Sequence, residues 1–121
     1  MSNWPHLKDF FTGKNLLFIP AVSPGYVDTR IRPWNAKNTK ERENGVYYEK
    51  MFSAAIKLKV PIINITSYNE IHEGTQIEPC VPMTVEAENE PKYSYLDYTP
   101  NQPNFYLEMT KRLVCHFKES K

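Results

Sequence analysis

The sequence predicts an α/β chain with a parallel sheet, because two short apolar runs alternate with three helical patterns. Each run is continuously apolar, which is typical of strands buried on both faces of a parallel sheet. Strands that alternate with helices are joined by right-handed crossovers and therefore run parallel. The predicted order is helix, strand, long loop, helix, strand, long loop and helix.

The first two predicted elements are a helix over residues 4–12 and a strand over residues 16–22. Trp4, Leu7 and the pair of phenylalanines that follows lie on one side of this helix, and Gly13 ends it. The run Leu-Leu-Phe-Ile-Pro-Ala-Val then predicts the first buried strand.

The rest of the chain repeats this pattern. A helix is predicted over about residues 41–58 and a strand over residues 61–66, with Pro61 ending the helical period. A last helix is predicted over about residues 104–118. The apolar stripes that identify these two helices are Tyr48, Met51, Phe52, Ala55 and Leu58, and Tyr106, Met109, Leu113 and Phe117.

Composition is that of a single globular domain. The chain has 121 residues, 40% of them hydrophobic, and its 15 basic and 14 acidic residues give a net charge of +1. A nearly neutral chain lacks the excess positive charge with which proteins attract nucleic acids and anionic membranes. No apolar run approaches the roughly 20 residues of a transmembrane helix, and no targeting signal is recognisable. We therefore expect no nucleic-acid partner and no membrane segment in this chain.

Two parallel strands make a poor sheet by themselves. Each strand would need a neighbour on both edges, and this chain supplies one neighbour for each, which leaves backbone donors unpaired and an apolar face uncovered. A complete (β/α)8 barrel takes about 250 residues, roughly twice the length of this chain. We therefore expect the chain to be part of a larger α/β structure.

Two long loops, residues 23–44 and 67–100, follow the two predicted strands. Both leave the carboxyl end of a strand, where α/β sheets and barrels place their sites. Long loops in compact domains are usually functional or disordered, and the rings of Tyr26 and Trp34 argue against disorder. We therefore expect the functional residues of the chain in these loops.

The second loop opens with the densest group of polar side chains. Glu70 and Glu73 lie close together in the sequence and are flanked by Asn69 and His72. Paired carboxylates suit hydrolysis of a glycosidic bond, in which one protonates the leaving oxygen and the other acts on the opposite side. The alternative is an acidic, solvated loop. Neighbouring amides such as Gln76 favour the sugar-binding interpretation, because amides commonly bind sugar hydroxyls.

The first loop combines aromatic rings with charged groups, namely Tyr26, Asp28, Arg32 and Trp34. Aromatic rings stack on the C–H faces of sugars, and carboxylates and guanidinium groups form hydrogen bonds with hydroxyls. The alternative is a structural loop with a surface Arg–Asp pair. The residues alone do not decide between the two.

A metal centre is not expected. His72 lies between two glutamates, but no second histidine stands at a ligand spacing. Cys80 and Cys115 belong to no Cys-x-x-Cys or His/Cys cluster, so a zinc site is not expected, and two separate thiols are favoured over a disulfide. The residues therefore call for no metal and no other cofactor.

Two long motifs occupy these loops. The first is Pro-Gly-Tyr-Val-Asp-Thr from Pro24 with Ile-Arg-Pro-Trp-Asn from Ile31, and the second is Ile-Thr-Ser-Tyr-Asn-Glu-Ile-His-Glu-Gly-Thr-Gln-Ile-Glu from Ile65. Both resemble motifs of glycoside hydrolase family 99. The stretch Tyr-Leu-Asp-Tyr from Tyr95 resembles the animal members, which are endo-α-1,2-mannosidases of the Golgi. The resemblance extends over about residues 4–117.

This resemblance implies a (β/α)8 TIM barrel, of which residues 1–121 would form the C-terminal segment of the catalytic domain. The chain would supply the last two strands and their helices, with strand seven at residues 16–22 and strand eight at residues 61–66. A missing N-terminal portion would supply the rest of the barrel. In animal members it would also supply an anchor that places the enzyme on the lumenal side of the Golgi membrane. The family usually has Trp where Ile71 stands here, so the packing beside Glu70 is expected to differ.

The resemblance further implies an endo-acting, retaining hydrolase that cleaves the α-1,2-mannosidic bond of glucosylated high-mannose N-glycans. Glu70 would deprotonate the sugar 2-hydroxyl, which attacks the anomeric carbon to give a 1,2-anhydro sugar. Glu73 would protonate the leaving oxygen and then activate water, a variation on the usual two-carboxylate scheme. The residues that would bind this carbohydrate are Asn69, Arg32, Tyr26, Asp28, Trp34 and His72.

Two interpretations remain at this point. The intact Glu70 and Glu73 pair favours an enzyme in the complete protein. Ile71 and the missing strands favour a truncated, non-catalytic fragment that acts as an interaction or lectin-like remnant. Under both, the 121-residue chain alone is expected to be inactive, because two strands do not hold catalytic groups rigidly.

Overall fold

The computed structural model describes residues 1–86, 88 and 92–121. Residues 87 and 89–91 of the predicted second loop lie outside the described residues. The elements in chain order are α1 (Trp4–Thr12), β1 (Ala21–Val22), α2 (Val46–Lys57), β2 (Asn64–Ile65), β3 (Thr84–Val85), β4 (Tyr93–Ser94) and α3 (Phe105–Glu119). Short 3-10 helices span Pro33–Asn38, Glu43–Gly45 and Ile71–Glu73.

The three predicted helices are present. The bounds of α1 are as predicted, and α3 is shifted by one residue. Helix α2 begins later than predicted, at Val46, because Asn44 and Gly45 have φ angles of 50° and 93° that no α-helix accommodates. Gly45 also lies close to α3, since a Cβ at this position would be 2.8 Å from the Met109 sulfur. Among the described helices, none is long and apolar enough to cross a membrane.

The sheet is parallel, as predicted, but its strands are shorter than the apolar runs. Strand β1 pairs with β2 in parallel, with Ala21 opposite Asn64 and Val22 opposite Ile65. The expected burial of both runs is wrong for the chain as it stands, because Leu16 and Ile62 are 56% and 46% exposed. A strand is buried on both faces only when neighbours and covering helices surround it. The two strands pair with each other, and the rest of each run has no further strand beside it in the described sheet.

Both predicted long loops contain structure that the sequence did not reveal. Strands β3 and β4 form a small antiparallel sheet with Thr84 opposite Ser94, so the expectation of a continuous loop over residues 67–100 is wrong. The first loop includes the 3-10 helix Pro33–Asn38 and is closed by backbone hydrogen bonds between Tyr26 and Lys40 of 2.8 and 2.9 Å. The described parts of both loops therefore contain defined structure that can support a site.

The core lies between α2, α3 and the parallel strands. Tyr48 and Phe52 of α2 pack against Tyr106 and Leu113 of α3, and Val22 of β1 is fully buried beside them. Each such side chain contributes about 1.5–3 kcal/mol by leaving water. The predicted stripes are confirmed as core, except that Leu58 and Phe117 at their ends are half-buried.

Candidate active site

The site is built where two loops meet beyond the carboxyl ends of β1 and β2. From here on, the first loop denotes residues 23–40, the part of the predicted loop 23–44 that forms the site. Residues 66–78 are named the glutamate loop. The glutamate loop continues the parallel ladder, because Thr66 N donates to Val22 O over 2.8 Å. The two loops join directly where Val27 N donates to Glu73 O over 2.8 Å. Adjacent parallel strands thus bring sequence-distant loops to one edge.

The glutamate loop is closed on itself. Ser67 N donates to Thr75 O over 2.9 Å, and the two hydroxyl oxygens are 2.7 Å apart. Ser67 Oγ also accepts a hydrogen bond of 3.0 Å from Glu70 N. The loop reverses at Gly74, whose φ of 61° lies in the left-handed region that favours glycine. Glu70 and Glu73 are therefore both carried by one short, internally bonded turn.

A charged network joins this turn to the first loop. Arg32 Nη1 donates to Asp28 Oδ2 over 2.9 Å and to Glu73 Oε1 over 3.3 Å. Tyr26 OH donates to Asp28 Oδ2 over 2.7 Å, and Asn35 Nδ2 lies 3.0 Å from both Asp28 oxygens. Three donors thus surround one carboxylate, and the shared guanidinium links it to Glu73.

The network fixes the charge of its members. Burial of Asp28 opposes ionisation, but hydrogen bonds from Arg32, Tyr26 and Asn35 outweigh it, so the pKa of Asp28 lies below its usual value. The hydrogen bond to Asp28 raises the pKa of the Tyr26 phenol, which stays neutral at neutral pH. Hydrogen bonds to Asp28 and then to Glu73 raise the pKa of Arg32. Asp28 is therefore an anion that orients a permanent cation beside Glu73.

The expected site residues differ in exposure. Asn69, Glu70 and His72 are exposed, and Glu73 is half-buried. Trp34 stands on the 3-10 helix Pro33–Asn38 with 77% of its surface exposed. Such exposed polar and aromatic groups can contact a ligand from solvent.

Asp28 and His72 are held by other protein groups. Asp28 is only 1% exposed, so its oxygens are used within the protein. The Nδ1 atom of His72 lies 3.3 Å from the Tyr95 hydroxyl.

Within the part of the chain that the structure describes, no three His, Cys, Asp or Glu side chains gather as metal ligands would. Cys80 is buried, Cys115 is exposed, and neither forms a disulfide.

The structure thus brings four of the eight expected residues into one network, namely Tyr26, Asp28, Arg32 and Glu73. Glu70 lies on the same turn as Glu73, and Asn69 and His72 are its neighbours in the glutamate loop. Trp34 lies on the 3-10 helix Pro33–Asn38 of the first loop. Sequence reasoning missed Asn35, whose amide contacts both Asp28 and the Tyr26 hydroxyl. The available signal was its place at the end of the Ile-Arg-Pro-Trp-Asn motif.

Comparison with known proteins identifies the class to which this paired-glutamate site belongs. The chain matches glycosyl hydrolase family 99 over residues 1–119. The match covers nearly the whole chain, so this chain belongs to that family of glycosidases. The family resemblance inferred from the two motifs is therefore confirmed.

Relatives that the chain matches are named as glycoprotein endo-alpha-1,2-mannosidases or as proteins like them. The human glycoprotein endo-alpha-1,2-mannosidase-like protein is 50% identical over 119 residues, which are 98% of this chain and 25% of that protein. The mouse glycoprotein endo-alpha-1,2-mannosidase is 52% identical over 119 residues, again 98% of this chain and 25% of that protein. The chain therefore spans about a quarter of the length of these curated relatives.

A solved structure gives the same result. The GH99 endo-alpha-mannosidase of Bacteroides thetaiotaomicron, in complex with bis-tris-propane, aligns with a TM-score of 0.86 at 47% identity. This alignment covers 98% of the present chain and 36% of the bacterial one. A second structure of that enzyme aligns with a TM-score of 0.88 over 99% of the present chain and 34% of the bacterial one. The α/β fold is therefore shared with about a third of a TIM-barrel enzyme.

Proposed function

We propose that the chain acts as the C-terminal segment of an endo-α-1,2-mannosidase whose catalytic domain is a (β/α)8 barrel. Strands β1 and β2 would be its last two strands, and preceding residues would supply the others. Family membership and relatives of about 50% identity named for this activity support the proposal. The exposed apolar side chains beside the two strands fit it as well, because neighbouring strands would cover them.

The observation that carries the proposal is the network that joins Arg32 of one loop to Glu73 of the other. Glu73 protonates the leaving oxygen and then activates water. Glu70, exposed on the same turn, deprotonates the sugar 2-hydroxyl, whose oxygen displaces the leaving oxygen at the anomeric carbon and closes a 1,2-anhydro ring. The water activated by Glu73 then opens the ring at that carbon while Glu70 returns the proton to the 2-oxygen, so the two inversions give overall retention. Asp28 offsets the charge of Arg32, whose bond to Asp28 is shorter than its bond to Glu73. The guanidinium thereby orients Glu73 while most of its charge is met by Asp28.

The substrate in this proposal is a glucosylated high-mannose N-glycan, processed on the lumenal side of the Golgi membrane. The exposed or half-buried groups contact it directly, namely Asn69, Trp34, His72 and Arg32. Tyr26 and Asp28 do not contact the substrate in this proposal but hold Arg32 in place, since their polar atoms form hydrogen bonds within the protein. The alternative of a non-catalytic remnant is not favoured by relatives that are named as enzymes.

The test uses residues 1–119 grafted in place of the aligned part of the Bacteroides thetaiotaomicron enzyme, termed the grafted enzyme. We expect it to release the glucosyl-mannose unit from a glucosylated high-mannose oligosaccharide. The 121-residue chain alone is expected to be inactive in the same assay. A well-folded grafted enzyme with no activity would contradict the proposed function.

Two variants separate the glutamates. Glu70→Gln should lower kcat by about 10²–10⁴-fold on every substrate, because it removes the base. Glu73→Gln should lower kcat similarly with the natural leaving group and much less with an activated aryl leaving group, which needs no proton. Glu108→Gln, an exposed residue of α3, is the matched control and should leave activity unchanged. Activity of Glu70→Gln within a few-fold of the unsubstituted protein would exclude the assigned role.

A further inference from the structure

A buried arginine lies directly behind the glutamate loop. Arg42 is 9% exposed and precedes the 3-10 helix that leads into α2. Its Nη2 atom donates to Gly74 O over 3.0 Å, to Gln76 O over 2.8 Å and to Gln76 Oε1 over 2.9 Å. These acceptors belong to residues one and three positions after Glu73. The Arg42 cation therefore contacts the part of the glutamate loop that directly follows Glu73.

The guanidinium of Arg42 is held in a narrow aromatic slot. Its central carbon lies 5.1 Å from the Tyr98 ring centre and 4.5 Å from the Tyr106 ring centre. Among the described residues, its Nε and Nη1 atoms have no hydrogen-bond acceptor, and the two ring faces meet their positive charge instead. Gly25 closes the slot, because a Cβ there would stand 2.7 Å from Arg42 Cγ.

Further hydrogen bonds extend from Arg42 through its partners. The Gln76 side chain donates to Leu96 O over 2.9 Å. Tyr98 OH contacts Gln76 O at 3.0 Å and Glu78 O at 2.7 Å. Arg42 thus ties the glutamate loop to residues 96–98 and to α3. A buried charge is retained at such a place when several acceptors and rings compensate its desolvation.

The catalytic turn is consequently supported by the first loop and by Arg42. On the first-loop side, Val27 N binds Glu73 O and Arg32 binds the Glu73 carboxylate. A further contact comes from Arg42, which binds the carbonyl of Gly74, the residue that reverses the chain. Movement of Gly74 would carry Glu73 with it, because the two residues share a peptide bond. The position of Glu73 therefore depends on Arg42, which itself touches neither Glu73 nor solvent-exposed groups of the site.

We propose that Arg42 is a positioning residue for the reaction, acting through Gly74 and Gln76 to place Glu73. This inference rests on the proposed function. Arginine suits the task because its planar group stacks on rings while its nitrogen donates to carbonyls. Lysine would keep the charge and part of the hydrogen bonding but lose the stacking.

The activity test compares Arg42→Met and Arg42→Lys in the grafted enzyme. A misplacement of about 1 Å costs about 100-fold in rate, so we expect kcat to fall about 100-fold in Arg42→Met and about 10-fold in Arg42→Lys. KM should stay within about threefold, because the substrate-contacting groups lie on other residues. Arg112→Met, an exposed arginine paired with Glu49, is the matched control and should leave kcat unchanged. Unchanged kcat in Arg42→Met, or a loss in KM alone, would overturn the proposal.

A second measurement separates this proposal from the proposed function. If the unsubstituted grafted enzyme is well folded but inactive, the proposed function fails, and Arg42 is judged by amide hydrogen exchange in the same grafted enzyme. Arg42→Met should speed exchange at Val27 by about tenfold and leave Phe52 in α2 within about twofold. If Arg42→Met speeds amide exchange equally at Val27 and at Phe52, the substitution has loosened the whole fold. The same comparison of Val27 with Phe52 is then made in Arg42→Lys. An unchanged Val27 amide would overturn the role of Arg42.

Discussion

Replacement of Gly74 by alanine is the sharpest structural test of how the glutamate loop packs. The added Cβ would lie 2.6 Å from Val27 Cγ1 and 3.2 Å from Val27 N. An L-residue with a side chain at a φ of 61° costs about 1–2 kcal/mol. Overpacking against Val27 adds about 1–3 kcal/mol. We therefore expect the free energy of unfolding to fall by about 2–5 kcal/mol.

The matched substitution is Gly13→Ala. Gly13 has a φ of −63°, and its added Cβ would lie no closer than 3.4 Å to Asp9 O. Alanine there restricts the unfolded chain and should stabilise the fold by up to about 1 kcal/mol. The double substitution Gly74→Ala with Val27→Ala removes the closest contact and should recover part of the steric loss, while the φ cost stays.

Urea unfolding of the 121-residue chain, followed by circular dichroism, gives these free energies. In the grafted enzyme, Gly74→Ala should also lower kcat, because Val27 N would no longer approach Glu73 O. A free energy of unfolding for Gly74→Ala within about 0.5 kcal/mol of the unsubstituted chain would refute the close-packing argument. Equal destabilisation by Gly13→Ala would refute it too.

Three further outcomes are expected. The folded pKa of Asp28 lies below its ordinary value of 3.8, so its contribution to stability is present above that pH and is lost as pH falls through the folded pKa. The urea midpoint should therefore drop more steeply below about pH 4 than it does in Asp28→Asn. A thiol reagent should modify Cys115 in the native chain and Cys80 only after unfolding, because Cys80 is buried and burial raises its pKa; equal rates would contradict the fold. Tyr48→Phe should cost about 0.5–1.5 kcal/mol in urea unfolding, since it removes the 3.1 Å hydrogen bond to Thr110, and a loss above about 3 kcal/mol would contradict this account.

Helices were the part of the fold that sequence predicted well. The stripes through Phe52 and Leu113 are set by local spacing and by burial on one face, and both features are present in the sequence itself. Strand lengths could not be predicted, because a strand exists only where a partner pairs with it. The apolar run that begins at Leu16 becomes a strand only at Ala21–Val22, where Asn64–Ile65 lies alongside.

For the candidate site, the sequence indicated candidate residues but not their arrangement. The spacing of Glu70 and Glu73 made them candidates, whereas the bond from Arg32 to Glu73 depends on how two distant loops fold against each other. Arg42 was missed because its partners are mainly backbone carbonyls and tyrosine rings, which no motif records. Asn35 was missed since its target, the Asp28 carboxylate, is brought to it by local turns.

The bond between Arg32 and Glu73 spans 41 residues of chain, and this separation has a kinetic consequence. Closing a longer loop costs more conformational entropy, whereas a helix forms from neighbouring residues within about a microsecond. During refolding, the helical circular dichroism signal should therefore return before the two loops join. The Arg32–Glu73 contact is therefore expected only at a late stage of folding, so a partly folded chain can have complete helices and still lack the candidate site.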